Sequence, residues 1–200
     1  YLVTSITKLG CYFSWQMKIE SIKFEEDSSV RTIYEQAFKE SMFSKIFFPK
    51  SLIELKDGWC DSTNFLTDII ISPSNGQFIY KDDKYLLWKS DPSNNEFDTL
   101  LFVPRNIKEI SIPNNIKIIG PFSFSNSDIE DIFIPPNVTK ICENAFSHCG
   151  NLKKIEIPTN SNLQTIEKGA LSFSGIKEIS IPPSVTKICE NAFSGCFNLK

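Results

Sequence analysis

The chain has one histidine, His148, and its six cysteines never fall in a C-x-x-C pair. A zinc cluster needs several Cys or His ligands at regular close spacing, so no metal is expected. No G-x-S-x-G, P-loop or G-x-G-x-x-G occurs, which removes the usual signatures of a hydrolase nucleophile, a phosphate-cradling loop and a dinucleotide site. Cys149 and His148 are adjacent in sequence, which does not fit a thiol nucleophile paired with a base from elsewhere in the fold. Carboxylates are sprinkled along turns, with no marked pair. The chain therefore reads as non-catalytic and without a cofactor. No apolar run approaches the ~18 residues of a membrane helix. Lys and Arg form no basic block and the net charge is −3, so no nucleic-acid surface is expected. The N-terminal YLVTSITKLG lacks Met and the charged-then-apolar order of a signal peptide; the chain reads as a segment of something longer.

What is present is a globular composition, 41% hydrophobic and 22% charged, with 17 Phe, and a repeat. VTKICENAF runs from Val138 to Phe146 and again, unchanged, from Val185 to Phe193. An I-x-I-P motif ends at Pro113, Pro135, Pro158 and Pro182, with spacings of 22, 23 and 24. Each motif leads to an aliphatic residue (Ile116, Val138, Leu163, Val185), then an Ile three residues on (Ile119, Ile141, Ile166, Ile188), then Phe or Leu (Phe124, Phe146, Leu171, Phe193). Weaker copies begin at IKF (22–24), IFFP (46–49), III (69–71) and LFVP (101–104). Roughly seven units fill the chain.

Within a unit, alternation around I-x-I predicts a short strand. Proline ends it, having no N–H for a ladder. The aliphatic pair three residues apart predicts a helical or 3₁₀ turn. A strand this short cannot bury its apolar side alone, so identical units must stack into a parallel sheet with a continuous interior. The expected fold is a leucine-rich-repeat solenoid, with a short-stranded parallel sheet on its concave face and irregular, 3₁₀ or short helical convex segments. Residues 1–77 are degenerate repeats, 101–200 regular ones, and 78–100 break the period. QFIYKDDKYLLW predicts a hairpin around Asp82-Asp83, followed by the polar loop KSDPSNNE. This insertion is either a functional element or a decorative one.

The phrase IPPNVTKICENAFSHCGNLKKIEIP resembles the BspA-like, treponemal-type leucine-rich repeat, whose unit is roughly L-x-x-I-x-I-P-x-x-V-x-x-I-x-x-x-A-F-x-x-C. The match is close from Leu101 to Lys200 and loose from Cys11 to Ile71; YKDDKYLLWKS resembles an interruption common in these proteins. The N-terminal repeat departs from the pattern where Phe24-Glu25 replaces the proline. The resemblance implies a cell-surface or secreted antigen or adhesin of bacteria or parasitic protists that binds a host or neighbouring-cell protein. An intracellular scaffold using the same face is the alternative, and an enzyme whose catalytic domain lies outside this segment is a third reading.

Cys149 and Cys196 share a slot with Ser41, Ser62, Ser127 and Ser174, and Cys142 and Cys189 share one with Gly120 and Glu167. Same-slot cysteines lie two units apart, about 10 Å at ~4.8 Å per strand, beyond the ~7 Å limit between the Cα atoms of a disulfide. Free thiols are expected. Asn137-Val138-Thr139 is a glycosylation sequon.

The residue between the two Ile of I-x-I should face outward. That column reads Lys23, Phe47, Ile70, Phe102, Ser111, Phe133, Glu156 and Ser180. An exposed stripe of Phe47, Ile70, Phe102 and Phe133 would mark a partner surface, unless the hairpin covers part of it. Beside it, Glu109, Asp131, Lys154 and Glu178 would tune specificity.

Overall fold

The computed structural model describes residues 20–93 and 95–200. Its strands, numbered in chain order, fall into two columns. The first strand of a coil is the I-x-I stretch: β1 (Ser21–Lys23), β3 (Lys45–Phe48), β5 (Asp68–Ile71), β10 (Asp131–Phe133), β12 (Lys154–Glu156) and β14 (Glu178–Ile179). The second strand holds the Ile after the proline turn: β2 (Thr32–Ile33), β4 (Glu54–Leu55), β9 (Ile118–Ile119), β11 (Lys140–Ile141), β13 (Thr165–Ile166) and β15 (Lys187–Ile188). Coils stack in register, Ile132 beside Ile155 and Ile141 beside Ile166, always parallel. The architecture is a leucine-rich-repeat β-solenoid.

One coil shows why. Ile132 and Ile134 are buried while Phe133 between them is exposed, as the two-residue period of a strand requires. Pro135 ends the strand, and the Val138 N–H closes a turn on its carbonyl at 3.0 Å. That turn delivers Val138 and Ile141 fully buried to the core, each contributing about 1.5–3 kcal/mol relative to exposure. The aliphatic pair three residues apart therefore marks a turn and a two-residue strand, where a helical or 3₁₀ turn was expected.

The backs of the coils correct the expectation of helix. Among the described residues there is no helix of any kind. The Ala-Phe segment takes tight turns with a left-handed residue at every fourth position: Asn144 (φ 53°) and His148 (58°), Gly169 (61°) and Phe173 (56°), Asn191 (57°) and Gly195 (71°). A residue at positive φ cannot belong to a right-handed helix. Alternate N–H groups close the turns internally, as Ala145 does on the Cys142 carbonyl at 3.2 Å. The intervening ones donate to the next coil, Asn144 to Lys168, Phe146 to Ala170 and His148 to Ser172, at 2.7–3.1 Å. Hydrogen bonds between coils thus replace those a helix would keep to itself, so these amides remain paired.

The insertion is part of the wall. β6 (Phe78–Lys81) and β7 (Tyr85–Trp88) form the expected hairpin. β7 pairs antiparallel with β8 (Thr99–Phe102), which pairs parallel with β9. The hairpin thereby extends the second-strand sheet. Its alternating side chains serve two cores: Tyr85 and Leu87 pack into the C-terminal core, Leu86 and Phe78 into the N-terminal one. Buried Phe is concentrated in the N-terminal core, with Phe38, Phe43, Phe48, Phe78 and Phe102 among others, while the mainly aliphatic C-terminal core holds Phe124 and Phe146, stacked at 4.7 Å between centroids.

LFVP is a second strand, since Leu100 pairs with Ile119. This register overturns its reading as an I-x-I-P motif and puts Phe102 fully inside the core, against Trp59 at 6.1 Å. The coil that follows is short. Leu100 and Ile110 are ten residues apart, where Ile119 and Ile132 are thirteen apart. Its back turn is missing, so the turn at Gly58 lies directly against the turn at Phe122; a Cβ on Gly58 would sit 3.2 Å from the Phe122 ring. Arg105 fills the space left beneath. It is buried, donates to the Ser123 and Phe122 carbonyls at 3.0 and 3.3 Å, and lies over the Phe102 ring.

Candidate functional site

The first strands present an outward face in two parts, since β1-β3-β5 and β10-β12-β14 are separate three-stranded sheets. The hairpin tip lies between them. The Tyr80 hydroxyl donates to the Thr67 carbonyl at 3.1 Å on one side, and the Tyr85 hydroxyl to the Ser111 carbonyl at 2.8 Å on the other. A cleft opens on each side of the tip. One, of about 410 Å³, is lined by Ile70, Tyr80 and Asp83. The other, of about 430 Å³, is lined by Lys81, Asp82, Tyr85, Ser111 and Phe133.

Of the eight residues expected in the outward column, Lys23, Ile70, Ser111, Phe133, Glu156 and Ser180 are exposed and Phe47 is half-buried. Phe102 is the exception: it belongs to the core, for the register reason given above, and is withdrawn from the face. Ile70 and Phe133, 43% and 46% exposed, are separated by the hairpin, so the apolar stripe is broken. The flanking column is exposed as well. Lys154 bridges Glu156 at 3.1 Å. That hydrogen bond, with the charges of Glu156, Asp131 and Glu178, holds its ammonium above the ordinary lysine range.

The sequence reading missed Tyr80, Tyr85 and the Lys81-Asp82 tip as members of this face. The hairpin signal was visible; its docking between the two sheets depends on hydrogen bonds to Thr67 and Ser111 that no local pattern announces.

The thiols offer little chemistry. Cys60, Cys142, Cys149, Cys189 and Cys196 are free. Burial drives Cys60 up to about 11 against the partial relief of Arg105, and drives Cys142 up to about 12. A buried, protonated thiol is a poor nucleophile. Cys149 lies 3.5 Å from Ser127 Oγ and donates to the Phe124 carbonyl at 3.0 Å. Cys196 repeats this with Ser174 and Leu171. The slot is therefore a small hydrogen-bonding position; in the second coil Thr63 occupies it, donating to the Cys60 carbonyl at 2.7 Å, and not Ser62, whose φ is 56°. Cys11 lies outside the described residues. His148 stacks on Phe173 at 5.0 Å on the exposed outer turns. Among the described residues no cluster of His, Cys, Asp and Glu could hold a metal ion, and no helix is long and apolar enough to cross a membrane.

Asn137 is exposed at the turn after β10. Its side-chain amide donates to the Asn114 carbonyl at 2.8 Å, and Thr139 Oγ1 donates to the Lys117 carbonyl at 3.1 Å. Both sequon side chains thus clamp one coil to the coil before it.

The BspA type leucine-rich repeat region matches in six copies over residues 2–82 and 95–200. The chain belongs to this family. It is a leucine-rich repeat protein, a class of protein-interaction module. A comparison with curated protein sequences gives no match. Among solved structures, the pneumococcal vaccine antigen PcpA superposes with a TM-score of 0.81 at 24% identity, over 95% of this chain and 46% of that one. A leucine-rich cell surface protein from Faecalibacterium prausnitzii superposes with a TM-score of 0.75 at 20% identity, over 91% of this chain and 52% of that one. The chain spans about half the length of these two structures. At such identities the likeness establishes the shared solenoid.

Proposed function

We propose that this chain is a non-catalytic protein-binding module of the cell-surface antigen or adhesin type, with the first-strand face as its contact surface. The observation that carries the reading is Phe133, 46% exposed between Ile132 at 3% and Ile134 at 0%. The fold already has aliphatic side chains enough at that place, and a large aromatic ring on the solvent side of a strand adds nothing to the core. Exposed aromatics in a cleft are favoured anchors for a partner. Phe47, Ile70, Asp131, Lys154, Glu156 and Ser180 complete the face. The surface setting is supported by the family and by two solenoid neighbours described as an antigen and a cell surface protein; it is carried across as a proposal.

The test is to immobilise the protein, capture proteins from candidate cell surfaces, and repeat the capture with Phe133→Ala. The variant should keep its melting temperature and lose the captured protein. Retention of the same protein by Phe133→Ala would remove the face from the account.

A further inference from the structure

We infer that the cleft between the hairpin tip and β10 receives an extended protein segment bearing one apolar side chain and, two or three residues further along, a basic one. This deepens the binding reading above and rests on it.

The single apolar anchor follows from the hairpin. Phe133 shares its cleft with Lys81, Asp82, Tyr85 and Ser111, while Ile70 opens into the other cleft beside Tyr80 and Asp83. A segment that used both would have to cross the Asp82-Asp83 tip, where both residues take left-handed backbone and stand exposed. The Phe133 cleft is therefore a compartment of its own, and at about 430 Å³ it has room for one large side chain.

The basic residue follows from what lies on the far side of Phe133. In register with it on β12 is Glu156. Around Glu156 stand Asp131, Lys154 and Glu178, all exposed. Lys154 is already committed, bridging Glu156 and lying in the fields of Asp131 and Glu178. The outward faces of β10, β12 and β14 thus carry one ammonium among three carboxylates and are anionic; the neighbouring lysines, Lys177 and the Lys153 that bridges Glu130, stand in the next column, at the strand edge. Lys81 and Asp82, at the other wall of the cleft, offset each other. Complementarity then favours a cation on the partner, placed over β12 or β14. Strands are ~4.8 Å apart and an extended chain advances ~3.3 Å per residue. A segment laid across the strands with its anchor at Phe133 brings its second or third following residue to that patch.

The probe is a nine-residue peptide with a central tryptophan and lysines two and three residues beyond it, together with its glutamate counterpart, read by fluorescence anisotropy at low and moderate salt. The lysine peptide should bind about ten-fold tighter than the glutamate one, with the gap narrowing as salt rises. Phe133→Ala should weaken the lysine peptide about ten-fold. Asp131→Asn with Glu156→Gln should reduce its preference over the glutamate peptide, and Glu190→Gln, on the outer turns, should change nothing. Equal binding of both peptides, each still dependent on Phe133, would overturn the basic partner and leave the contact face standing. Binding that ignores Phe133→Ala, or no binding of either peptide, would overturn the cleft as the anchor site.

Discussion

Arg105 places its guanidinium 3.6 Å from the Cys60 sulfur, joining the second coil to the short coil 45 residues later in the chain. Cys60 follows Trp59 at the place in its turn where Phe38, Phe124 and Phe146 stand in others. The small thiol leaves room, the missing back turn exposes it, and the long side chain of Arg105 occupies it. Arg105 is buried and makes no ion pair among the described residues, Asp61 acting on it only as a nearby charge. It is held by two backbone carbonyls, the sulfur and the Phe102 ring.

Arg105→Ala is expected to cost about 3 kcal/mol, mainly from the cavity it leaves, with a smaller part from the lost second donor to the Ser123 and Phe122 carbonyls, which keep the Val103 and Ser125 N–H groups as partners. Arg105→Met fills the same volume without a buried charge and should cost less than half as much. Urea unfolding of the two variants measures the difference. Equal losses would mean that the hydrogen bonds outweigh the packing.

The repeat, the parallel stacking and the inward Ile positions were legible in the sequence because each is dictated by side-chain spacing within about 25 residues. The backs of the coils were not. Whether Ala145-Phe146 turns or coils into a helix depends on amide bonds to Ala170 and Ser172 in the next coil, and those bonds have no local signature. Phe102 was misplaced for a related reason. LFVP matches the first-strand motif in apolar pattern and proline, and only its pairing through Leu100 to Ile119 shows that it lies in the other column.

Close stacking leaves no space at Gly175. A Cβ there would run into the backbone carbonyl of Gly150 and stand 3.1 Å from that of Leu152. Backbone in the adjoining coil cannot move aside as a side chain would. Gly175→Ala should therefore cost about 2 kcal/mol or more, although the backbone conformation there needs no glycine. At Gly76, where a Cβ meets nothing within 4 Å, the same substitution should be within about 0.5 kcal/mol of neutral. Thermal melts of the pair separate a packing effect from a general intolerance of Gly→Ala.

The thiols set an alkaline limit. Cys60 and Cys142 titrate near 11 and 12 in the fold, above the ordinary value of 9 that each regains on unfolding. A raised folded pKa leaves stability intact below pH 9. It is then lost as pH rises towards 11 and 12, because only the unfolded chain ionises freely in that range. Urea midpoints at pH 8 and pH 10 should differ, and Cys60→Ala with Cys142→Ala should narrow the gap. At pH 8, short iodoacetamide labelling followed by peptide mapping should mark Cys189 and Cys196 of the last coil well before Cys60 and Cys149. Uniform labelling would mean that the buried thiols open together with the whole fold.

Asn137 provides the final test, because its amide has a structural task as well as a sequon. It donates one N–H to the Asn114 carbonyl, and an N-linked sugar replaces one of the two amide hydrogens, so one donor survives. Thr139 is engaged through its hydroxyl with Lys117, and Val138 between them is in the core. Attachment must therefore precede folding, while the three residues are still extended. Asn137 is the sole N-x-S/T site in the chain. Expression through a eukaryotic secretory route is expected to add a single glycan, removed by peptide N-glycosidase and absent from Asn137→Gln. The same protein made in a bacterial cytoplasm should melt within a few degrees of the glycosylated form, since the clamp survives in both. An unmodified secreted product would show that the turn closes before the transferase reaches it.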